Sequence, residues 1–276
     1  MDNSGQRIGL IAGSGPFPII FARKAASRGY AVFAVGYHGE TDPKLAEHVV
    51  AMETLHLGQI GRLIRFFKKA GVEAAVMIGA VRKPSSIRQI RPDFKALALF
   101  AGMRHNTHDD RLLRAFANAL EREGIRVRSS TFLLPELLSE KGCWTRRSPT
   151  PEEMHDIELG WKMAKEIGRL DIGQCVVVAN GTVLAVEAID GTDSTILRGG
   201  RLSEGNAVVV KVCKPIQDFR FDVPAVGAGT VRTMQDAGAR VLAVEAGKSL
   251  VFDKEEMVAI ADDAGISIIA LSNGQV

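Results

Sequence analysis

The chain has 276 residues, 46% hydrophobic, 24% charged and 6% aromatic, a balance that excludes disordered and fibrous classes and suits two ordinary domains with aliphatic cores. A formal net charge of +3, with no basic tail or aromatic-interleaved stripe, gives no footprint for nucleic acid. Cys143, Cys175 and Cys213 are scattered and odd in number, which argues against a disulfide framework or a cysteine zinc site and for a reducing cytoplasm.

The opening MDNSGQRIGLIAGSG has too short an apolar run for a signal peptide, and no later segment reaches the ~18 apolar residues of a membrane span. Ile8 to Ala12 reads as a buried strand, GSGP as a turn and Phe17 to Arg28 as a helix. Ala31 to Val35 is a second strand, followed by a helix from Gln59 to Ala70 stopped at Gly71 and a third strand from Ala74 to Ile78. A helix from Asp109 to Glu123 ends at Gly124, and Ile125 to Val127 is a fourth strand. This alternation predicts a Rossmann-like parallel sheet over residues 1–134, with helices on both faces.

Residues 135–150, with prolines and Lys141, Arg146 and Arg147, read as a linker. A C-terminal α/β domain then covers 151–276. Thr150, Pro151 and Glu153 spell a capping box for a helix running to about Ile167. Asn180-Gly181 between the apolar runs 174–179 and 182–188 predicts a β-hairpin. Strands at Ala207 to Cys213, Arg240 to Val244 and Ile266 to Leu271, and a helix near Lys254 to Ala264, complete a mixed sheet.

Several segments can carry chemistry. Gly13, Ser14 and Gly15 follow the first strand and open a helix, as in phosphate-approaching turns; Pro18 and the Gly36-Tyr37 end of the second strand depart from the dinucleotide fingerprint. Gly79 ends the third strand, with Arg82 and Lys83 beyond it. HNTHDD at 105–110 offers two histidines and two acids, although Asp109 also suits a helix cap. Glu187, Thr192 and Asp193 lie between a strand and a short helix, where they can hold a phosphate, hydrated magnesium or the helix N-terminus itself.

KPIQDFRFDVPAVG at 214–227 follows a buried strand with Lys214, Gln217, Asp218, Arg220 and Asp222, stiffened by Pro215 and Pro224. Cations beside carboxylates suit phosphoryl chemistry: Lys and Arg offset phosphate charge, and Asp carries Mg²⁺ or positions water. A salt-bridged structural loop is the plainer alternative.

Taken with LAVEAIDGTD, IGRLDIGQCVVV and GLIAGSGPFP, this segment resembles the LpxI family of UDP-2,3-diacylglucosamine pyrophosphatases along nearly the whole chain. The resemblance implies Mg²⁺-dependent hydrolysis of UDP-2,3-diacylglucosamine to UMP and 2,3-diacylglucosamine 1-phosphate (lipid X) in lipid A biosynthesis. Its motif aspartate, required for catalysis, falls on Asp222, the motif lysine and glutamine on Lys214 and Gln217, and the Thr-Asp pair on Thr192 and Asp193. The chemistry of the residues adds to these: catalytic roles fall on Asp222, Lys214 and Arg220, substrate contacts on Gly13, Ser14, Gly15, Gly79, Thr192, Lys211, Gln217 and Asp218, and metal donors on Asp222, Asp193 and Glu187. Asp190 stands where the family often has Glu. The implied setting is cytoplasmic, with transient contact at the inner-membrane surface, and a homodimer is compatible with it. A carrier that binds nucleotide-sugar or lipid without turnover, and a dehydrogenase using the GSG turn, are the rival readings.

Overall fold

The computed structural model describes residues 5–81, 91–101, 109–221 and 223–272. They fall into two compact units, Met1–Pro135 with Asp218–Asp222, and Glu136–Gln217 with Val223–Val276.

In the first unit the chain forms β1 (Arg7–Ala12), α1 (Phe17–Ser27), β2 (Ala31–Tyr37), β3 (Ala51–Leu55), α2 (Ile60–Lys69), β4 (Ala74–Ile78), α3 (Phe94–Ala101), α4 (Asp109–Arg122) and β5 (Arg126–Arg128). The five strands are parallel in the order β3-β2-β1-β4-β5, so the order reverses between β1 and β4. Helix α2 buries Ile60, Leu63, Ile64 and Phe67, the 3.6-residue repeat of an amphipathic helix, against Ile11, Val35, Leu55 and Ala75 of the sheet. Gly71 and Gly124, with φ of 67° and 84°, follow α2 and α4 in the left-handed conformation that closes helices.

Two elements here escape the sequence pattern. Strand β3 is the edge strand, and only Leu55 of AMETL is buried, so its apolar signal is weak. Helix α3, FKALALFA, has no polar face to give it a period, and its Phe94 is exposed.

The second unit contains β6 (Gly142–Cys143), α5 (Pro151–Arg169), β7 (Cys175–Ala179), β8 (Thr182–Val186), α6 (Gly191–Leu202), β9 (Ala207–Lys211), β10 (Ala225–Val226), α7 (Ala228–Asp236), β11 (Ala239–Glu245), β12 (Leu250–Val251), α8 (Lys254–Asp263) and β13 (Ser267–Leu271). Its mixed sheet runs β6-β13-β11-β9-β7-β8, with β9, β11 and β13 parallel and β7 antiparallel to both neighbours. Strands β10 and β12 form a separate small parallel ladder. Within 135–150, the stretch read as a linker, β6 pairs with β13 and Ser139 exchanges hydrogen bonds with Ser249 and Glu245. Its prolines and charges hid that pairing, which long-range contacts create.

The alternation of strand side chains divides this core cleanly. Val177, Val209, Leu242 and Ile268 face α6, α7 and α8, whereas Val176, Val178, Val208, Val210 and Ala243 face Ile157, Trp161 and Ala164 of α5. Glycines let both layers approach: a Cβ on Gly160 would lie 2.6 Å from Val210 Cγ2, and one on Gly199 would lie 2.5 Å from Val177 Cβ.

The predicted capping box is present, since Thr150 Oγ1 accepts from the Glu153 N–H at 3.3 Å and Glu153 Oε2 accepts from the Thr150 N–H at 2.8 Å. The Asn180-Gly181 hairpin turn is held by a helix: the buried Asp156 carboxylate of α5 accepts from the Asn180 and Gly181 N–H groups at 2.9 and 2.7 Å. Asp156→Ala strips both N–H groups of that acceptor and is expected to lower stability by about 2–3 kcal/mol, read as a lower urea midpoint with an unchanged slope.

Candidate active site

Strands β8, β9, β11 and β13 all finish at one edge of the second sheet, and antiparallel β7 begins there. Register aligns Cys175 with Lys211 and Lys211 with Val244, and the Glu187 N–H bonds the Cys175 carbonyl. Glu187, Lys211 and Glu245 are therefore the side chains with which strands leave the apolar core, all three buried. This is the edge at which open α/β sheets bind their ligands.

Glu187 accepts from the Gln174 N–H at 2.8 Å through Oε2 and from the Thr192 hydroxyl at 2.6 Å through Oε1. Helix α6 is longer than the short helix the sequence suggests, and it begins at Gly191, so Thr192 and Asp193 lie within its first turn. Asp190 precedes the helix without capping it; its carboxylate accepts from the Ala188 N–H and pairs with Arg198 at 3.1 Å. Lys211 donates to the Ala225 carbonyl at 2.8 Å. The Cys175 thiol beneath this row is pushed up to about 12, first by burial and then by the charge of Glu187.

Past β9 the chain turns sharply. Gln217 accepts from the Lys214 N–H through its side chain at 3.2 Å and returns its own N–H to the Lys214 carbonyl at 3.0 Å. The Lys214 ammonium lies 2.8 Å from Asp171 Oδ1, a residue in the left-handed region with φ of 57°. Asp171 and Glu245 belong to this setting and escaped the sequence reading. The available signal for Glu245 was a lone charge closing the run ARVLAVE.

The other predicted residues lie in the first unit. Gly13 and Gly79 end β1 and β4 where the strand order reverses, and the two loops meet: Ser14 donates to the Ala80 carbonyl through both its N–H (2.7 Å) and its hydroxyl (2.8 Å). A Cβ on Gly13 would lie 2.4 Å from the Ala80 oxygen, and one on Gly79 would lie 2.6 Å from the Ser14 oxygen, so this crossing requires glycine. Gly15 lines a cavity of about 800 Å³ with Pro16, Tyr37, Glu40, Thr41 and Asp42.

Asp218 and Arg220 pair at 2.8 Å, with Arg220 also 3.3 Å from Glu121 of α4, and the Phe219 carbonyl accepts from Ser129 Oγ at 3.0 Å. Hydrogen bonding to Arg220 holds the Asp218 carboxyl below its usual range, and that of Arg220 is raised in turn, so both stay charged. Asp222, Arg82, Lys83 and residues 105–108 of HNTHDD lie outside the described residues. Among the described residues no three His, Cys, Asp or Glu side chains gather as a metal site; Glu187 and Asp193 stand close enough to act on the same thiol, but they are two.

Two protein-family models match this chain, the LpxI N-terminal domain over residues 7–137 and the LpxI C-terminal domain over residues 140–269. The chain belongs to the LpxI family. A curated LpxI relative, the UDP-2,3-diacylglucosamine pyrophosphatase LpxI of Caulobacter vibrioides, is 33% identical over 276 residues, covering 96% of this chain and 98% of the relative. Two solved structures show slight likenesses. The biotin carboxylase domain of Hydrogenobacter thermophilus 2-oxoglutarate carboxylase is 14% identical with a TM-score of 0.26, covering 63% of this LpxI chain and 35% of its own. Glycinamide-RNase-transformylase T of Mycobacterium tuberculosis is 13% identical with a TM-score of 0.27, covering 67% and 44%. This LpxI chain thus spans less than half of either, and neither carries an argument.

Two thiols in different settings, Cys175 at this edge and Cys143 beside Ser267 at the start of β13, test the electrostatics. Exposed Cys143 is lowered: burial, its largest influence, acts upward but is outweighed by hydrogen bonds from Thr145, Ser148 and Ser267. Alkylation by iodoacetamide at pH 8, followed by peptide mass spectrometry, is expected to label Cys143 first and leave Cys175 unlabelled in the folded protein.

Proposed function

We infer that this LpxI-family chain is a UDP-2,3-diacylglucosamine pyrophosphatase, which hydrolyses the diphosphate of its substrate to UMP and 2,3-diacylglucosamine 1-phosphate, the lipid X of lipid A biosynthesis. One observation carries the reading: both family models and a relative of that activity match end to end. In the reaction one water adds to phosphorus, a P–O anhydride bond breaks, and the bridging oxygen leaves with the other phosphate.

A diphosphate diester repels hydroxide by its own charge, so the protein's task is to neutralise that charge and hold the water. Lys211, Lys214 and Arg220 are the cations assigned to neutralisation. Lys211 is buried, which strengthens its field, and Lys214 is kept extended by Asp171 until an anion competes for it. The main-chain N–H groups of the first turn of α6, that of Thr192 among them, offer donors to a phosphate oxygen, since no side chain caps that terminus. Gln217, Asp218 and the glycine-rich crossing at Gly13, Ser14, Gly15 and Gly79 are the further substrate contacts. Asp222 is assigned to the attacking water.

Magnesium would be held by Asp222, Asp193 and Glu187, whose hard carboxylate oxygens fit it. Mg²⁺ keeps waters and takes substrate phosphates as ligands, so it needs no closed protein cage. When bound it supplies charge neutralisation to the phosphate oxygens.

The acyl chains also have a matching surface. Leu170, Ile172, Ile189 and Ile216 are exposed around the charged edge of the second unit, on loops that touch one another: a Cβ on Gly173 would lie 2.2 Å from the Glu187 oxygen, and one on Gly168 would lie 3.2 Å from Pro215 Cδ. Apolar side chains in that position favour acyl chains, at ~0.8 kcal/mol per buried methylene, and brief contact with a membrane surface. No helix among the described residues is long and apolar enough to cross a membrane.

Purified protein is expected to release UMP and lipid X from UDP-2,3-diacylglucosamine with Mg²⁺ and to stop in EDTA. Asp222→Asn is expected to lower kcat by roughly 100-fold or more. Folded protein that binds lipid X yet releases neither product would replace the hydrolase with the carrier.

A further inference from the structure

We propose that Glu245 and Lys165 are positioning residues for the loop bearing Lys214 and Gln217, a role that rests on reading this loop as catalytic. The structure singles out the main chain of one residue. Cys213 is the residue before Lys214, and its N–H donates to Glu245 Oε2 at 3.0 Å while its carbonyl accepts from Lys165 Nζ at 2.8 Å. The two side chains bond each other at 2.6 Å. Both main-chain polar groups of the residue that launches the loop are thus held by one ion pair.

That pair is itself fixed from several sides. Lys248 donates to Glu245 Oε1 at 2.9 Å, and the Ser139 hydroxyl donates to the Glu245 carbonyl at 2.7 Å. Burial acts most strongly on Glu245 and would raise its carboxyl, but the hydrogen bonds and charges of Lys165 and Lys248 and the Cys213 N–H keep it below the usual range. The carboxylate remains charged and accepting. Lys165 passes beside the Trp161 ring, its ammonium 5.8 Å from the centroid, so the helix core fixes its stem.

Helix α5 adds an independent constraint. Trp161, Lys165 and Gly168 follow at helical spacing along the side facing the loop. Gly168 is where the loop passes: a Cβ there would lie 3.2 Å from Lys214 Cα and 3.4 Å from Lys214 Cβ. One helix therefore sets the height of Lys214 through a missing side chain and its orientation through a charged one.

A buried ion pair is a poor source of stability, because apolar residues of similar size usually do as well. The α5 side of this sheet is otherwise aliphatic, with Val212, Val241, Ala243 and Leu271 around the site. What the pair supplies, and a Met-Leu pair would not, is a donor and an acceptor aimed at the two main-chain polar groups of one residue.

Two variants test this. In Glu245→Gln, amide hydrogen exchange at 213–217 is expected to quicken about tenfold or more while the rest of the sheet is unchanged, and kcat per folded molecule to fall roughly 10- to 100-fold with KM little altered. Gly168→Ala gains helix propensity and crowds only Lys214 and Pro215 of the loop, so its thermal midpoint is expected to hold or rise while kcat falls severalfold. Unchanged exchange at 213–217 in Glu245→Gln, or unchanged kcat in both variants of an active enzyme, overturns the positioning role. Inactivity of the wild-type protein would instead sink the pyrophosphatase reading, and the exchange result would still decide whether the pair holds the loop.

Discussion

Burial of both faces of a sheet is the constraint from which the rest of this molecule follows. In the second unit α5 covers one face and α6, α7 and α8 the other, so each strand interior must be aliphatic whichever way a side chain points. CVVVA, AVVVK and ARVLAVE are the result. A charge can enter such a strand only where it leaves the layer, and Lys211 and Glu245 do so at strand ends, with Glu187 one residue beyond β8. The buried charges Glu187, Lys211 and Glu245 therefore gather at one edge of the sheet, where the candidate site lies.

Being at the edge does not make these groups wet. Glu187, Lys211 and Glu245 are all buried, and each has donors or acceptors in place. Leaving such a charge unpaired would cost several kcal/mol, so the surrounding loops are obliged to supply partners. The Gln174 N–H, the Thr192 hydroxyl, the Ala225 carbonyl and the Cys213 N–H are those partners. The demand for satisfaction thus fixes the loops, the preorganisation that the proposed phosphoryl chemistry calls for.

What could be read in the sequence was local. The capping box at Thr150, the Asn-Gly turn and the glycine stops after α2 and α4 involve neighbours in the chain, and the structure has them all. Edge strand β3, β6 within the proline-rich stretch, and helix α7, whose AGT start reads as a turn, depend on partners far along the chain. The site divides in the same way. Its motif residues stand together in the chain and were legible by their chemistry and by resemblance, whereas Asp171 lies 43 residues before Lys214, and Lys165 and Glu245 lie 48 and 32 residues from Cys213, invisible to spacing. Ser14, expected to meet substrate, already spends its hydroxyl proton on Ala80.

The segment KPIQDFRFDVPAVG divides between the two units, with Lys214 and Gln217 in the second and Asp218 to Asp222 in the first. This division carries its own logic. Six peptide steps join Lys214 to Arg220, a reach of at most about 20 Å even when fully extended, so the covalent chain alone bounds the distance between these cations. Each half is anchored within its own unit, by the Lys214–Gln217 turn and Asp171 on one side and by Glu121, Ser129 and Ser130 on the other. A catalytic role for this segment, as proposed above, would make these anchors as consequential as the residues that contact phosphate.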